Sequence, residues 1–138
     1  AGLGAGLIHW LSDPFSGIPT VGASGAIAGV MGGYLLLFPK ARVDVLLIVI
    51  VFFKVIPVPA WLTLAIWFAM QLFGGWSAPA DQGGVAYWAH AGGFIAGLIA
   101  TVPTWIKRGG RRFWRSNDYH PPHPQTVYSQ SRIPRVRR

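Results

Sequence analysis

The sequence predicts an all-α, polytopic membrane protein, and three observations lead there. The chain has 138 residues, 52% of them hydrophobic, and the apolar residues come in runs. Charge is segregated: Lys40, Arg42 and Lys54 aside, every cation lies at or after Lys107, and residues 1–39 carry one acid, Asp13, and no Lys or Arg. Many of the 18 glycines recur inside the apolar runs, a composition that lets helix backbones approach closely in lipid. This is not the evenly charged surface of a globule. With no cysteine, a disulfide framework and thiolate chemistry are excluded.

The elements follow in order. Residues 1–11 are apolar and lack the charged opening of a signal peptide, so they read as the last turns of a helix in a C-terminal part of a larger protein, with Trp10 at an interface. Residues 12–20 hold two prolines and a glycine and read as a loop. An apolar helix is expected from Ser24 to Phe38, stopped by Pro39, with residues 40–44 a charged turn. Between Asp44 and Lys54 lies an apolar run rich in Val and Ile, too short for a helical span, which needs about 20 residues. It reads as an interfacial or strand-like excursion. Pro57 and Pro59 then introduce a helix from Ala60 to Phe73; residues 74–84 read as a loop, and Val85–Ile106 as the final span.

Lys40, Arg42 and Lys54 fall on the same side of this arrangement as Lys107, Arg108, Arg111 and Arg112, and the positive-inside rule makes that side cytoplasmic. The spans at 24–38 and 85–106 then run from outside to inside, with 60–73 returning between them. With Phe38 and Ile106 at the cytoplasmic edge of a layer roughly 30 Å thick, a rise of about 1.5 Å per residue sets Ser24 roughly 21 Å above that edge and His90 roughly 24 Å. Two helices read separately bring a nucleophile and a base to nearly one depth.

Such a pair is a functional candidate because polar groups inside a membrane are costly. Serine attacks only when a base takes its proton, and neutral histidine is the usual base. Gly25, Gly29 and Gly33 repeat along the first helix, Gly93 and Gly97 along the last, and packing these faces together draws Ser24 towards His90. The N–H of Ser24, with those of Gly22 and Ala23 beside it, lies at a helix start, suited to stabilising an oxyanion. The four acids are Asp13, Asp44, Asp81 and Asp118, none in a span near His90, so a Ser–His dyad fits better than a triad. Each feature alone has a plainer reading: Ser24 as a helix cap, His90 as a hydrogen-bonded structural residue, the glycines as packing only.

Gly22-Ala23-Ser24-Gly25-Ala26-Ile27 with Gly29, Gly32-Gly33-Tyr34 and Phe38-Pro39, followed by Ala89-His90-Ala91-Gly92-Gly93-Phe94-Ile95-Ala96-Gly97, closely resembles the rhomboid intramembrane serine proteases. The likeness covers residues 1–106, the C-terminal half of a rhomboid core, and Pro59-Ala60-Trp61, Trp67 and Gln71 resemble the family's fifth helix. It implies a six-helix bundle, Ser24 as nucleophile, His90 as general base, and hydrolysis of peptide bonds in or near transmembrane segments of other proteins. Residues 60–84 would then lie where substrates gain access, in a multi-pass protein of a bacterial-type plasma membrane. Two departures stand out. The family's oxyanion hole also uses His and Asn from an earlier helix that is absent here, so the fragment alone is expected to be inactive. Many relatives place an aromatic four residues after the nucleophile, stacked on the base; here that residue is Ala28. The alternative reading is a non-catalytic rhomboid-like protein that binds client transmembrane helices.

The remaining features carry less. His9, beside Trp10, reads as a boundary residue. His120 and His123 lie among prolines without a third ligand at useful spacing, so no metal site and no cofactor are expected. Residues 107–138 read as a basic, disordered cytoplasmic tail that sets topology and meets anionic lipid, a contact worth about 1 kcal/mol per basic residue near the surface. No nucleic-acid recognition motif accompanies the charge.

Overall fold

The computed structural model describes residues 1–15, 17, 22–49, 52–77 and 85–122. Within them the chain is mostly helical: α1 (Gly2–Ser12), α2 (Ser24–Leu37), a hairpin of β1 (Arg42–Val49) and β2 (Phe52–Pro59), α3 (Ala60–Ser77), α4 (Tyr87–Lys107) and α5 (Arg111–Ser116). Much of the 12–20 loop and of the 74–84 loop, with His123 and the end of the tail, lies outside the described residues.

Helix α4 is the centre of the bundle and packs against α1, α2 and α3. Its seam with α2 is glycine on glycine. A Cβ on Gly93 would overlap the Gly25 carbonyl, one on Gly97 the Gly29 carbonyl, and one on Gly29 would come within 2.9 Å of the Gly93 carbonyl. On the other side of α4, Gly92 lies against Ile8 of α1 and Ala96 against Gly4. The apolar core forms where α3 closes over this seam: Ala28, Leu64 and Phe94 are buried, with Met31, Leu35, Trp67, Phe68 and Leu98 around them. Large side chains such as Leu3, Val30, Ile66, Phe73 and Ile99 face outward, as expected of a surface solvated by lipid.

Among the described residues one helix, Tyr87–Lys107, is long and apolar enough to cross a bilayer, and Ser24–Leu37 is apolar but shorter. At about 1.5 Å per residue, α2 is shorter than a hydrocarbon layer of roughly 30 Å.

Three expectations need correction. The chain is not all-α: the apolar run between Asp44 and Lys54, read as interfacial or strand-like, contributes Val45–Val49 and Phe52–Phe53 to the two arms of an antiparallel hairpin, with Arg42 opposite Pro59 and Val49 opposite Phe52. Val and Ile favour the pleated strand, and Pro57 and Pro59, which read as a helix start, are tolerated because β2 has a free edge. Backbone bonds from Ala60 N–H to the Ala41 carbonyl (2.7 Å) and from Trp61 N–H to the Pro39 carbonyl (2.9 Å) close the hairpin's base. Helix α3 runs past Phe73, through Gly74 and Gly75, to Ser77. The Tyr87 and Trp88 rings lie where a Cβ at Gly74 and Gly75 would stand, and the Trp88 indole donates to the Gly75 carbonyl at 3.2 Å.

The third correction concerns the tail, which is folded at its start. Helix α4 ends in a Schellman arrangement: Gly109 has φ +105, Gly110 N–H bonds the Trp105 carbonyl, and Gly109 N–H bonds the Ile106 carbonyl. The reversal lays α5 against the end of α2. Trp114 Nε1 donates to the Leu36 carbonyl at 2.8 Å, Phe113 is buried beside Phe38, and Trp105 and Trp114 pack at 4.8 Å. Lys40 N–H meets the Tyr119 carbonyl and its ammonium lies 4.2 Å from the Tyr119 ring, so both basic clusters share one end of the bundle. Charge concealed this fold in the sequence; the aromatics among the arginines are what hold it.

Gly97→Ala forces α2 and α4 apart at a backbone contact and is expected to cost about 1–3 kcal/mol, as overpacking does. Gly6→Ala, where nothing stands within 4 Å of the new methyl, is expected to gain about 0.5–1 kcal/mol from helix propensity. Unfolding of the full-length protein in detergent distinguishes the two; equal behaviour would show that the glycine seam does not set the packing.

Candidate active site

The two residues singled out in the sequence meet. Ser24 opens α2 and His90 lies in the first turn of α4, where the glycine seam begins. A Cβ on Gly25, immediately after Ser24, would stand 3.2 Å from the carbonyl of Ala89, immediately before His90. The backbones therefore run side by side at this level, and the side chains bridge the remaining gap. Ser24 Oγ is 2.9 Å from His90 Nε2, across 66 residues of sequence. Ser24 is exposed and His90 half-buried, so the serine faces the open end of the pair.

The second ring nitrogen is also engaged. His90 Nδ1 lies 2.8 Å from Gln71 Oε1 on α3. Gln71 is 8% exposed, the buried polar side chain among the described residues, and its Nε2 donates to the Trp67 carbonyl one turn earlier at 3.2 Å. Trp67 contributes its ring as well, centred 6.0 Å from the imidazole and tilted by 35°, and 5.9 Å from Phe94. Ser24, His90, Gln71 and Trp67 thus form one polar line from the exposed end into the apolar interior.

A model of the rhomboid domain matches residues 1–107. The chain belongs to the rhomboid family. Rhomboids are membrane proteins, and this chain is accordingly part of a membrane helical bundle. Comparison with curated proteins and with solved structures gives no match.

Gly22, with φ +143, and Ala23 precede Ser24 directly, and the Ala23 carbonyl accepts the first bond of α2, from Ile27 N–H at 3.0 Å. The N–H groups at this helix start have no intrahelical acceptor. Gly25 and Gly29 meet Gly93 and Gly97 along the seam, while Gly33 faces Thr101. Ala28, where many rhomboids carry an aromatic, is 1% exposed and packed in the core. The aromatic beside His90 comes instead from α3, as Trp67. Sequence reasoning placed Gln71 and Trp67 on the right helix but not at the site. The signal was a lone amide in an apolar helix, which needs a buried partner.

Trp67→Ala removes a ring that touches both His90 and Phe94. Large-to-small changes of this kind cost about 3–5 kcal/mol when the site is fully buried, and the half-buried Trp67 is expected near or below the lower end. Trp67→Phe, which keeps an aromatic face on the imidazole, should melt closer to the wild type. Thermal unfolding of both variants tests this, and equal melting points would remove the packing role.

Proposed function

We propose that this chain carries the nucleophile and general base of an intramembrane serine endopeptidase that cleaves peptide bonds in or near transmembrane segments. The observation that carries the reading is the 2.9 Å contact between Ser24 Oγ and His90 Nε2. A serine hydroxyl within hydrogen-bond reach of an imidazole nitrogen is the arrangement nucleophilic catalysis requires. Family membership supports the same reading.

The chemistry runs in two halves. Ser24 Oγ attacks the scissile carbonyl carbon while His90 Nε2 takes the hydroxyl proton. The N–H groups of Gly22, Ala23 and Ser24 lie at the start of α2, where negative charge on the tetrahedral oxygen is favoured by unpaired donors and the helix dipole. Collapse of the intermediate breaks the C–N bond, and the proton on Nε2 passes to the leaving amine. Water then attacks the acyl-serine, giving its proton to Nε2. Collapse of this second intermediate breaks the C–Oγ bond, Nε2 returns its proton to Ser24 Oγ, and the carboxylic acid product leaves. The exposure of Ser24 gives this water a route to the ester.

In this reading the chain supplies the C-terminal half of a six-helix core in a multi-pass protein. The basic end, with Lys40, Arg42 and the tail from Lys107, lies on the cytoplasmic side near anionic lipid. Substrate helices reach Ser24 past α3. The bundle sits in a plasma membrane of bacterial type.

Fluorophosphonate labelling of the full-length protein in membranes tests the reading. The wild type is expected to label, and Ser24→Ala and His90→Ala to show no labelling above background. A correctly inserted wild type that takes no label would overturn the protease reading in favour of a rhomboid that binds client helices without cutting them.

A further inference from the structure

The buried amide of Gln71 has no part in the dyad chemistry as described, yet it occupies the far side of the base. We infer that Gln71 is a positioning residue: it holds His90 as the tautomer with its proton on Nδ1, leaving Nε2 as the acceptor that faces Ser24.

The Trp67 carbonyl is an acceptor only. It lies 3.2 Å from Gln71 Nε2. Turning the Gln71 amide over would set Oε1 against that carbonyl, two acceptors with no proton between them, in a buried site where such a pair is costly. The Trp67 carbonyl therefore fixes which end of the amide faces His90, and that end is Oε1, 2.8 Å from Nδ1. Oε1 has no proton to give. The contact is a hydrogen bond only if Nδ1–H donates, and a neutral imidazole with its proton on Nδ1 has a bare lone pair on Nε2. That nitrogen is 2.9 Å from Ser24 Oγ, and the serine hydroxyl donates to it. The hydrogen bond made by one ring nitrogen decides the state of the other. An imidazole side chain free in water prefers its proton on Nε2, where it could not accept from serine, so an acceptor on the Nδ1 side has work to do here.

A neutral amide suits the surroundings better than a carboxylate. Gln71 is 8% exposed on an apolar helix, and a charge there would need a partner, whereas Lys40 and Arg42 lie beside Pro59 and Trp61 at the start of α3. Glutamine delivers the acceptor without the desolvation cost of an ion. Trp67 then acts twice, orienting Gln71 through its carbonyl and flanking His90 through its ring.

The consequence for rate rests on the protease reading above; the tautomer does not, and the two are measured separately. In the full-length protein in lipid bilayers, isotope-labelled at the histidine ring nitrogens, the His90 signals are those lost in His90→Ala. Solid-state NMR should show a protonated Nδ1 and an unprotonated Nε2 in the wild type. Gln71→Met keeps the volume and removes the acceptor; it should lose the single tautomer and slow fluorophosphonate labelling of Ser24 by roughly tenfold, part of what general-base catalysis contributes. The state of the His90 ring nitrogens is a readout that a purely structural role for the glutamine does not move. Unchanged melting of Gln71→Met confirms that a slower rate is not unfolding. A proton on Nε2 in the wild type, or an unchanged tautomer in folded Gln71→Met, overturns the inference. The expected tautomer in a protein that takes no label supports the positioning assignment and sinks the protease reading.

Discussion

The close approach of the α2 and α4 backbones is the constraint on which the rest of the structure depends. In lipid no hydrophobic force drives helices together, so the pairing relies on fit. Gly25 and Gly29 against Gly93 and Gly97 bring carbonyls to positions that a single methyl would occupy. The separation that results is what allows a short serine side chain to reach an imidazole on the neighbouring helix. Had the seam been lined by leucine, the same two residues at the same depths would be too far apart to share a proton.

The helix pair alone leaves the base incompletely held. An imidazole has two nitrogens and a rotatable ring, and α2 offers a partner for one nitrogen only. Helix α3 supplies the other partner through Gln71 and a flanking ring through Trp67. Three helices therefore converge on one side chain, and the polar groups are paired in sequence: hydroxyl to ring nitrogen, ring nitrogen to amide, amide to backbone carbonyl. Buried networks stabilise one arrangement only when every member is satisfied, and the members shown here are.

Local signals made much of this legible from residues alone. Ser24 at a helix start, Pro39 at its stop, and matched depths for Ser24 and His90 all follow from spacing and span length, which the chain writes locally. What escaped depends on contacts across the sequence. The aromatic that many relatives carry four residues after the nucleophile is Ala28 here, and nothing near that position announces that Trp67 takes up the space beside His90. Gln71 and His90 are separated by 19 positions and lie on different helices. The hairpin was half visible in its β-branched residues, but Pro57 and Pro59 carry the same mark at a strand edge as at a helix start. In the tail, the density of arginine concealed Phe113, Trp114 and Tyr119, whose docking sites lie on α2 and at Lys40.

The indole of Trp114 on the Leu36 carbonyl has a mechanical meaning. That carbonyl is in the last turn of α2, where the helix leaves its own acceptors unpaired. Helices α2 and α4 are already joined at one end by Ser24 and His90, and α5, continuing from α4, ties them at the other. Two rods pinned at both ends make a closed frame, not a pair of tongs. A sideways load at the basic end is then shared along the whole seam, and the Ser24–His90 contact is insulated from splaying that starts at the far end of α2.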